Sequence, residues 1–161
     1  KTGFDWALHN NFDQVLLVHG DNQYSFQHIF LAAESANPIS LGSRMIDPSG
    51  EMPQWRKLGN RLLTQFANYL FKTSYSDLHT GARIYSRALL RSLPYQNYED
   101  GFLSDQQVLA YCLNTGQTIT EFPIPANYSD DVSSISAPRA IQYGFGCLKV
   151  LAFAKRSDVR H

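Results

Sequence analysis

The residues of this chain best suited to chemistry begin at His19-Gly20-Asp21-Asn22-Gln23, directly after the apolar run Val15-Leu16-Leu17-Val18. A carboxylate, an amide and an imidazole this close together suit Mn²⁺ or Mg²⁺, which prefer oxygen ligands and tolerate nitrogen beside them. Gly-Asp-Asn is also good turn chemistry, and on the residues alone the turn is the simpler reading. Ser43-Arg44 follows a second apolar run. A guanidinium fork matches phosphate oxygens, but it also pairs with surface carboxylates, where it contributes little. Asp77-Leu78-His79-Thr80-Gly81-Ala82-Arg83 concentrates more polar groups. Asp77 and Arg83 read either as ligand contacts or as a scaffold pair, Gly81 as a turn residue that needs positive φ, and His79 as a satisfied polar side chain. Asp105 is able to act as a general base, or to serve as a first-turn acid favoured by the helix dipole. Glu121, before Phe122-Pro123, reads as ordering the end of a strand.

Such residues need a frame. Val15 to Val18 reads as a fully buried strand, and the carboxyl end of a strand is where open α/β sheets bind ligands. Phe4 to His9 looks like the end of a helix. Ser25 suits the cap of a helix carrying Ile29, Phe30 and Ala33, and Ile39 to Leu41 reads as a second buried strand. This alternation predicts a layered α/β sheet. Residues 45–54 have loop composition. From about Trp55 to Lys72 an amphipathic helix carries Trp55, Leu58, Leu62, Phe66 and Leu70 on one stripe. Arg56, Lys57 and Arg61 sit in its first turns, where positive charge opposes the helix dipole and points to a role other than helix stability. Arg83 to Leu93 reads as strand then helix, ended by Pro94. Ser104 and Gln107 suggest a capping box, for a helix ending near Gly116. A strand over Thr118–Phe122 and a helix from about Ala137 to Lys155 complete the chain, the helix with Ile141, Phe145, Leu148 and Ala152 on one face and a basic tail.

Composition narrows the function. The 161 residues fit one domain, 1–161, with a core of ordinary size; 43% are hydrophobic and 17% charged, a globular balance. Fourteen basic residues offset fourteen acidic ones, so no net field draws the chain to nucleic acid or an anionic membrane, and an anionic ligand needs a local cluster. Cys112 and Cys147 lack metal spacing and read as buried small hydrophobes of a reducing compartment, with a single disulfide left open. No apolar run reaches the roughly 18 to 20 residues that span a bilayer, and no secretory signal is evident. The absence of a Gly-x-Gly-x-x-Gly or Walker-type loop disfavours a generic nucleotide-binding α/β domain.

Read in order, several of these pieces resemble the family-2 glycosyltransferases of the dolichol-phosphate-mannose or -glucose synthase type. Val-Leu-Leu-Val-His-Gly-Asp-Asn-Gln-Tyr is similar to the family's strand and Asp-x-Asp-x-Gln metal element, with His19 at the first acidic position, Asp21 at the second and Gln23 at the amide. Gly42-Ser43-Arg44 matches the strand end whose Arg meets donor phosphates. Met52-Pro53-Gln54-Trp55-Arg56 through Arg61 resembles the loop and amphipathic helix that lies near the membrane. Asp77-Leu78-His79-Thr80-Gly81-Ala82-Arg83-Ile84-Tyr85 is similar to the element beside the acceptor and phosphate site. Phe102-Leu103-Ser104-Asp105, Ile119-Thr120-Glu121-Phe122-Pro123-Ile124-Pro125 and Ser133-Ser134-Ile135 complete the series, which covers nearly the whole chain.

The resemblance implies an α/β fold of the GT-A, nucleotide-diphospho-sugar transferase-like type: a mixed sheet flanked by helices, here a partial domain. It corresponds to the C-terminal two-thirds of the catalytic domain and lacks the first nucleotide-binding strand, so the chain alone is expected to lack full donor affinity, with an unpaired sheet edge. The implied activity is metal-dependent, inverting transfer of a hexosyl group from a nucleotide-sugar donor to a lipid-linked, polyprenyl or dolichyl phosphate-like acceptor, or to a glycan. Asp21, Gln23 and His19 would hold Mn²⁺ or Mg²⁺. Arg44, Ser43, Thr80, Gly81 and Arg56 would meet the donor phosphates, and Asp105, Arg83 and Asp77 would serve catalysis. A phosphate acceptor needs no strong base, whereas a hydroxyl acceptor would call on Asp105. The family also implies peripheral membrane contact at a cytoplasmic face and no nucleic-acid partner. His19 in place of an acid, and Gln107 where relatives often carry Glu, keep open an inactive binding module of the same fold.

Overall fold

The computed structural model describes every residue except 22, 34–36, 48, 51, 126, 129–136 and 159–161, and the backbone alone at Phe102, Ala137, Pro138, Ser157 and Asp158. The Ser133-Ser134-Ile135 piece and Asn22 therefore lie outside the described residues. The elements run α1 (Thr2–His9), β1 (Gln14–Val18), α2 (Phe26–Ala32), β2 (Ile39–Ser43), α3 (Gln54–Phe71), β3 (Ala82–Ser86), α4 (Arg87–Ser92), a 3₁₀ turn (Tyr95–Asn97), α5 (Phe102–Asn114), β4 (Ile119–Pro123) and α6 (Ala137–Asp158).

Among the described residues four strands form one mixed sheet in the order β1-β3-β2-β4. β3 pairs antiparallel with both β1 and β2, while β2 and β4 run parallel. Side chains alternate across the pleat. Val15, Leu17, Ile39, Leu41, Tyr85 and Ile119 join the larger core with residues of α1, α3, α4, α5 and α6. Leu16, Val18, Ala82 and Ile84 pack on the other face against Ile29 of α2, Tyr24 and Ile124. The molecule is thus a mixed α/β sheet with helices on both faces.

Strand position explains one departure from the expected burial. β2 lies between two strands and is buried throughout, whereas all five residues of β1 are only half-buried. An apolar run marks a strand but not its place in the sheet, and among the described residues β1 has β3 on one side alone. Along its other side runs a groove of about 510 Å³, lined by Phe4, Val15, Val18, Tyr98, Ser104 and Asp105 among others.

The helix ends carry two further corrections. α5 begins at Phe102 after Gly101, whose φ of 140° is open to glycine, so Ser104 lies inside the first turn and is not its cap. Gln107 does reach back, accepting the Glu99 N–H at 2.8 Å. At the other end Gly116 takes φ 65°, as a residue just past a helix does. In α3 the apolar stripe divides: Phe66 and Leu70 pack against the core, while Trp55, Leu58 and Leu62 are exposed. Both cysteines are buried and unbridged.

Candidate functional site

The carboxyl end of β1 and the amino end of β3 meet at one sheet edge, and the pairing of Val18 with Ala82 sets His19 beside Gly81. The His19 N–H donates to the Gly81 carbonyl at 3.0 Å. The imidazole lies so close that a Cβ on Gly81 would sit 2.4 Å from His19 Nδ1. Positive φ, the sequence-based expectation for this glycine, is not the reason for it, since its φ lies outside that region. Close approach of the ring is the reason. From the first turn of α5, Asp105 Oδ2 accepts a hydrogen bond from His19 Nε2 at 3.2 Å.

Beneath this pair Arg83 is buried. Its Nε donates to the Thr80 carbonyl at 2.9 Å and its Nη1 to the Asp105 carbonyl at 2.8 Å. Burial disfavours the Arg83 cation, but the fields of Tyr85 and Asp105 outweigh it and push its pKa up. Burial likewise acts to raise Asp105, yet the hydrogen bond from His19 and the Arg83 charge hold it below the usual carboxylate range. Thr80 Oγ1 accepts from the Ala82 N–H at 3.2 Å, which closes the turn into β3.

A second cluster stands at the end of β2. Arg44 grips the wholly buried Asp77 through Nε at 2.7 Å and Nη2 at 2.9 Å, with Nη2 also reaching the His79 carbonyl and Nη1 the Tyr128 hydroxyl. Burial works against both charges, and each partner's field wins: Arg44 is raised and Asp77 lowered. The expected scaffold pair of Asp77 with Arg83 is therefore corrected to Asp77 with Arg44, because Arg83 and Tyr85 share the opposite direction of the pleat from Ala82 and Ile84. Ser43 is buried, its hydroxyl 2.6 Å from Ser76 and accepting from the Met45 and Ile46 N–H groups. Glu121, expected to order the end of its own strand, instead holds this distant turn, accepting from the Ser76 and Asp77 N–H groups at 2.9 Å. Burial drives the His79 pKa down to about 4, so its ring is neutral at pH 7, edge-on to Tyr143.

Asp21 and Gln23 occupy the turn after His19. Asp21 Oδ1 accepts from the Gln23 N–H at 3.3 Å, an Asx turn, and Oδ2 takes no hydrogen bond from the described residues. No group of three or more His, Cys, Asp or Glu side chains is placed to hold a metal among the described residues. Mg²⁺-type sites, however, commonly need only one or two carboxylates, with substrate phosphates and water filling the rest, and the open Oδ2 of Asp21 fits that mode.

The segment 77–81 joins the two clusters, so Asp77, Arg44 and Ser43 sit at one end of a continuous network and Thr80, Gly81, Arg83, Asp105 and His19 at the other. Arg56 adjoins the Arg44 cluster through Tyr128, its guanidinium over the Trp55 ring at 4.9 Å and the Tyr128 ring at 5.8 Å. A groove of about 370 Å³ opens beside Arg44 and is lined by Met45, Gly50, Met52, Pro53, Gln54 and Lys57. Sequence reasoning did not assign Lys57, Tyr24 or Tyr128 to the site. Lys57 was signalled by its unfavourable place in a helix first turn, and Tyr24, which accepts the Gly81 N–H at 3.2 Å, by its adjacency to Gln23. No family model and no curated protein matches the chain.

Proposed function

We propose that this chain is the larger part of a GT-A glycosyltransferase catalytic domain, acting on a nucleotide-sugar donor and a lipid-phosphate acceptor at the cytoplasmic face of a membrane. The observation that carries the reading is the convergence of His19, Gly81, Arg83 and Asp105 at the sheet edge beside Asp21. Those residues come from three widely separated stretches of the sequence, each a motif that resembles the family. Asp21 would hold Mn²⁺ or Mg²⁺ together with the donor diphosphate. A bound divalent cation supplies Lewis-acid stabilisation to the departing nucleoside diphosphate.

The rest falls to the chain's own residues. Lys57 presents its cation to the groove beside Arg44, where an anionic ligand is held electrostatically, while Arg44 itself stays committed to Asp77, Tyr128 and the His79 carbonyl. Asp105, kept below the usual carboxylate range, is a weak base. That suits an acceptor already anionic, which needs no proton removed. His19 holds the Asp105 carboxylate in place, and Arg83 fixes the α5 turn that delivers it.

A second reading, a nucleotide-sugar-binding module without turnover, is favoured by one feature: the bond between His19 and Asp105 commits both side chains to each other. Release of UDP or GDP from the matching sugar nucleotides, with and without Mn²⁺, separates the readings. Slow Mn²⁺-dependent release, lost in Asp21→Asn, supports the transferase. Mn²⁺-dependent binding without release supports the module. Neither binding nor release overturns both.

A further inference from the structure

Gly81 holds both ends of the turn that carries Asp21. Its carbonyl accepts the His19 N–H at 3.0 Å, ahead of the turn. Its own N–H donates to the Tyr24 hydroxyl at 3.2 Å, just past the turn. The first bond extends the β1–β3 register by one residue, in phase with the bond from the Arg87 N–H to the Asp13 carbonyl at the other end of the ladder. Opposed residues in this phase of an antiparallel ladder exchange two bonds. Among the described residues the second bond is not made here: the Gly81 N–H goes to Tyr24, and the phenol stands in for the His19 carbonyl.

That exchange of acceptors has a geometric consequence. A buried N–H needs a partner, and Gly81 is buried. With the His19 carbonyl as acceptor, the ladder would continue and tie the start of the turn to the Gly81 strand. With the phenol as acceptor the chain is released after His19, and Gly20, with nothing within 4 Å of the place a Cβ would take, turns clear. Tyr24 is itself firmly seated. It is 6% exposed and packs in the cluster of Ile29, Ala82, Ile84 and Ile124. Beside it the Gln23 carbonyl accepts the Asn127 N–H at 2.9 Å. A phenylalanine would fill the same apolar place, so the hydroxyl is the one atom of Tyr24 that packing does not explain.

We infer that Tyr24 is a positioning residue: by satisfying the Gly81 N–H, its hydroxyl props the Asp21 turn away from β3 and fixes where the Asp21 carboxylate stands. Tyr24 acts through Gly81 and Asp21, and touches no ligand itself. Without the hydroxyl, the acceptor that the ladder offers to Gly81 is the His19 carbonyl, and taking it draws the turn toward β3. The purpose of the placement rests on the proposed function, in which Asp21 holds a divalent cation; the placement itself does not.

Tyr24→Phe tests this in the 161-residue chain, with Tyr95→Phe as the control. Tyr95 also loses a buried hydroxyl's bond, to Asp5 Oδ1 at 2.7 Å, but far from the turn. In the metal-free chain, Tyr24→Phe should speed hydrogen exchange of the Gly81 amide by about tenfold and shift the amide signals of Gly20 and Asp21, while the Ile29 and Ile84 methyl signals stay in place. Tyr95→Phe should leave all of these unchanged. Uniform incorporation of meta-fluorotyrosine, whose phenol is a poorer acceptor, should move the Gly81 amide proton upfield without any substitution. Electron paramagnetic resonance of Mn²⁺ with UDP, and separately with GDP, then reads the purpose: Tyr24→Phe should hold the ion about tenfold more weakly, although Asp21 is present. Unchanged Gly81 exchange, or unmoved Asp21 signals, overturns the inference, as does Mn²⁺ held equally well by Tyr24→Phe and the unaltered chain. If the turn shifts but the unaltered chain holds no Mn²⁺ with either nucleotide, the placement by Tyr24 is supported and the glycosyl-transfer reading is the one that fails.

Discussion

Two carboxylates of the same sheet edge live in opposite circumstances. Asp77 has no exposed surface and is clamped in two places by one guanidinium, while Asp105 keeps 19% of its side chain open and shares a single bond with a half-exposed imidazole. A buried, saturated ion pair has no capacity left for a ligand: four of the five N–H groups of Arg44 already have partners in the described fold. A partly open pair can exchange partners. The resemblance assigned both acids to catalysis; the geometry separates them, closing Asp77 in a buried ion pair and leaving Asp105 partly open.

Breaking the closed pair should produce the largest effect on stability. Asp77→Ala leaves the Arg44 cation buried without its partner, and urea unfolding is expected to show a loss of about 3–5 kcal/mol. The buried His79 comes next. Its pKa falls from 6.5 to about 4 on folding, so between those values the unfolded chain takes up a proton that the native chain refuses. Stability should therefore decline as pH drops through that window, by up to about 3 kcal/mol, and the decline should vanish in His79→Leu. Asp77 adds its own loss only at lower pH, because its folded pKa lies beneath 3.8: the stability it contributes is present above that value and disappears as pH falls through the folded one.

Gly81→Ala drives a methyl group into the His19 ring and is expected to cost about 1–3 kcal/mol. The same substitution should shift the His19 ring resonances in an NMR spectrum, as the bond to Asp105 is displaced. Asp105→Asn sits at the small end for stability, about 1 kcal/mol or less, since the pair is partly solvated. If Asp105 matches Asp77 in unfolding experiments, the contrast between the two regions fails.

The order of helices and strands was legible because each element is a local pattern. The apolar run of β1, the amphipathic period of α3 and Gly116 past the end of α5 all act within a few residues. What stayed hidden depends on neighbours distant in sequence. Val15 to Val18 looks like a central strand until the sheet order places it at an edge. Arg83 and Asp77 are six residues apart, yet pleat direction sends the arginine to α5 and leaves the aspartate to Arg44. Gly81 was legible as a position intolerant of side chains, but its reason, the His19 ring, comes from across the β1–β3 pairing. Of the site, the polar stretch after β1 and the 77–83 segment were visible as candidates. The bond that joins His19 to Asp105 spans 86 residues and has no local signature.

The central claim, that Asp21 holds a divalent cation with a donor diphosphate at the edge shared by His19, Gly81 and Asp105, is tested most directly by paramagnetic broadening. Mn²⁺ with UDP, and separately with GDP, would be titrated into the isotope-labelled chain and into its Asp21→Asn variant. The account predicts selective loss of the amide signals of His19, Asp21, Gly81 and Asp105 in the presence of nucleotide, and their retention in the variant. Broadening that centres elsewhere, or that persists unchanged in Asp21→Asn, would contradict it.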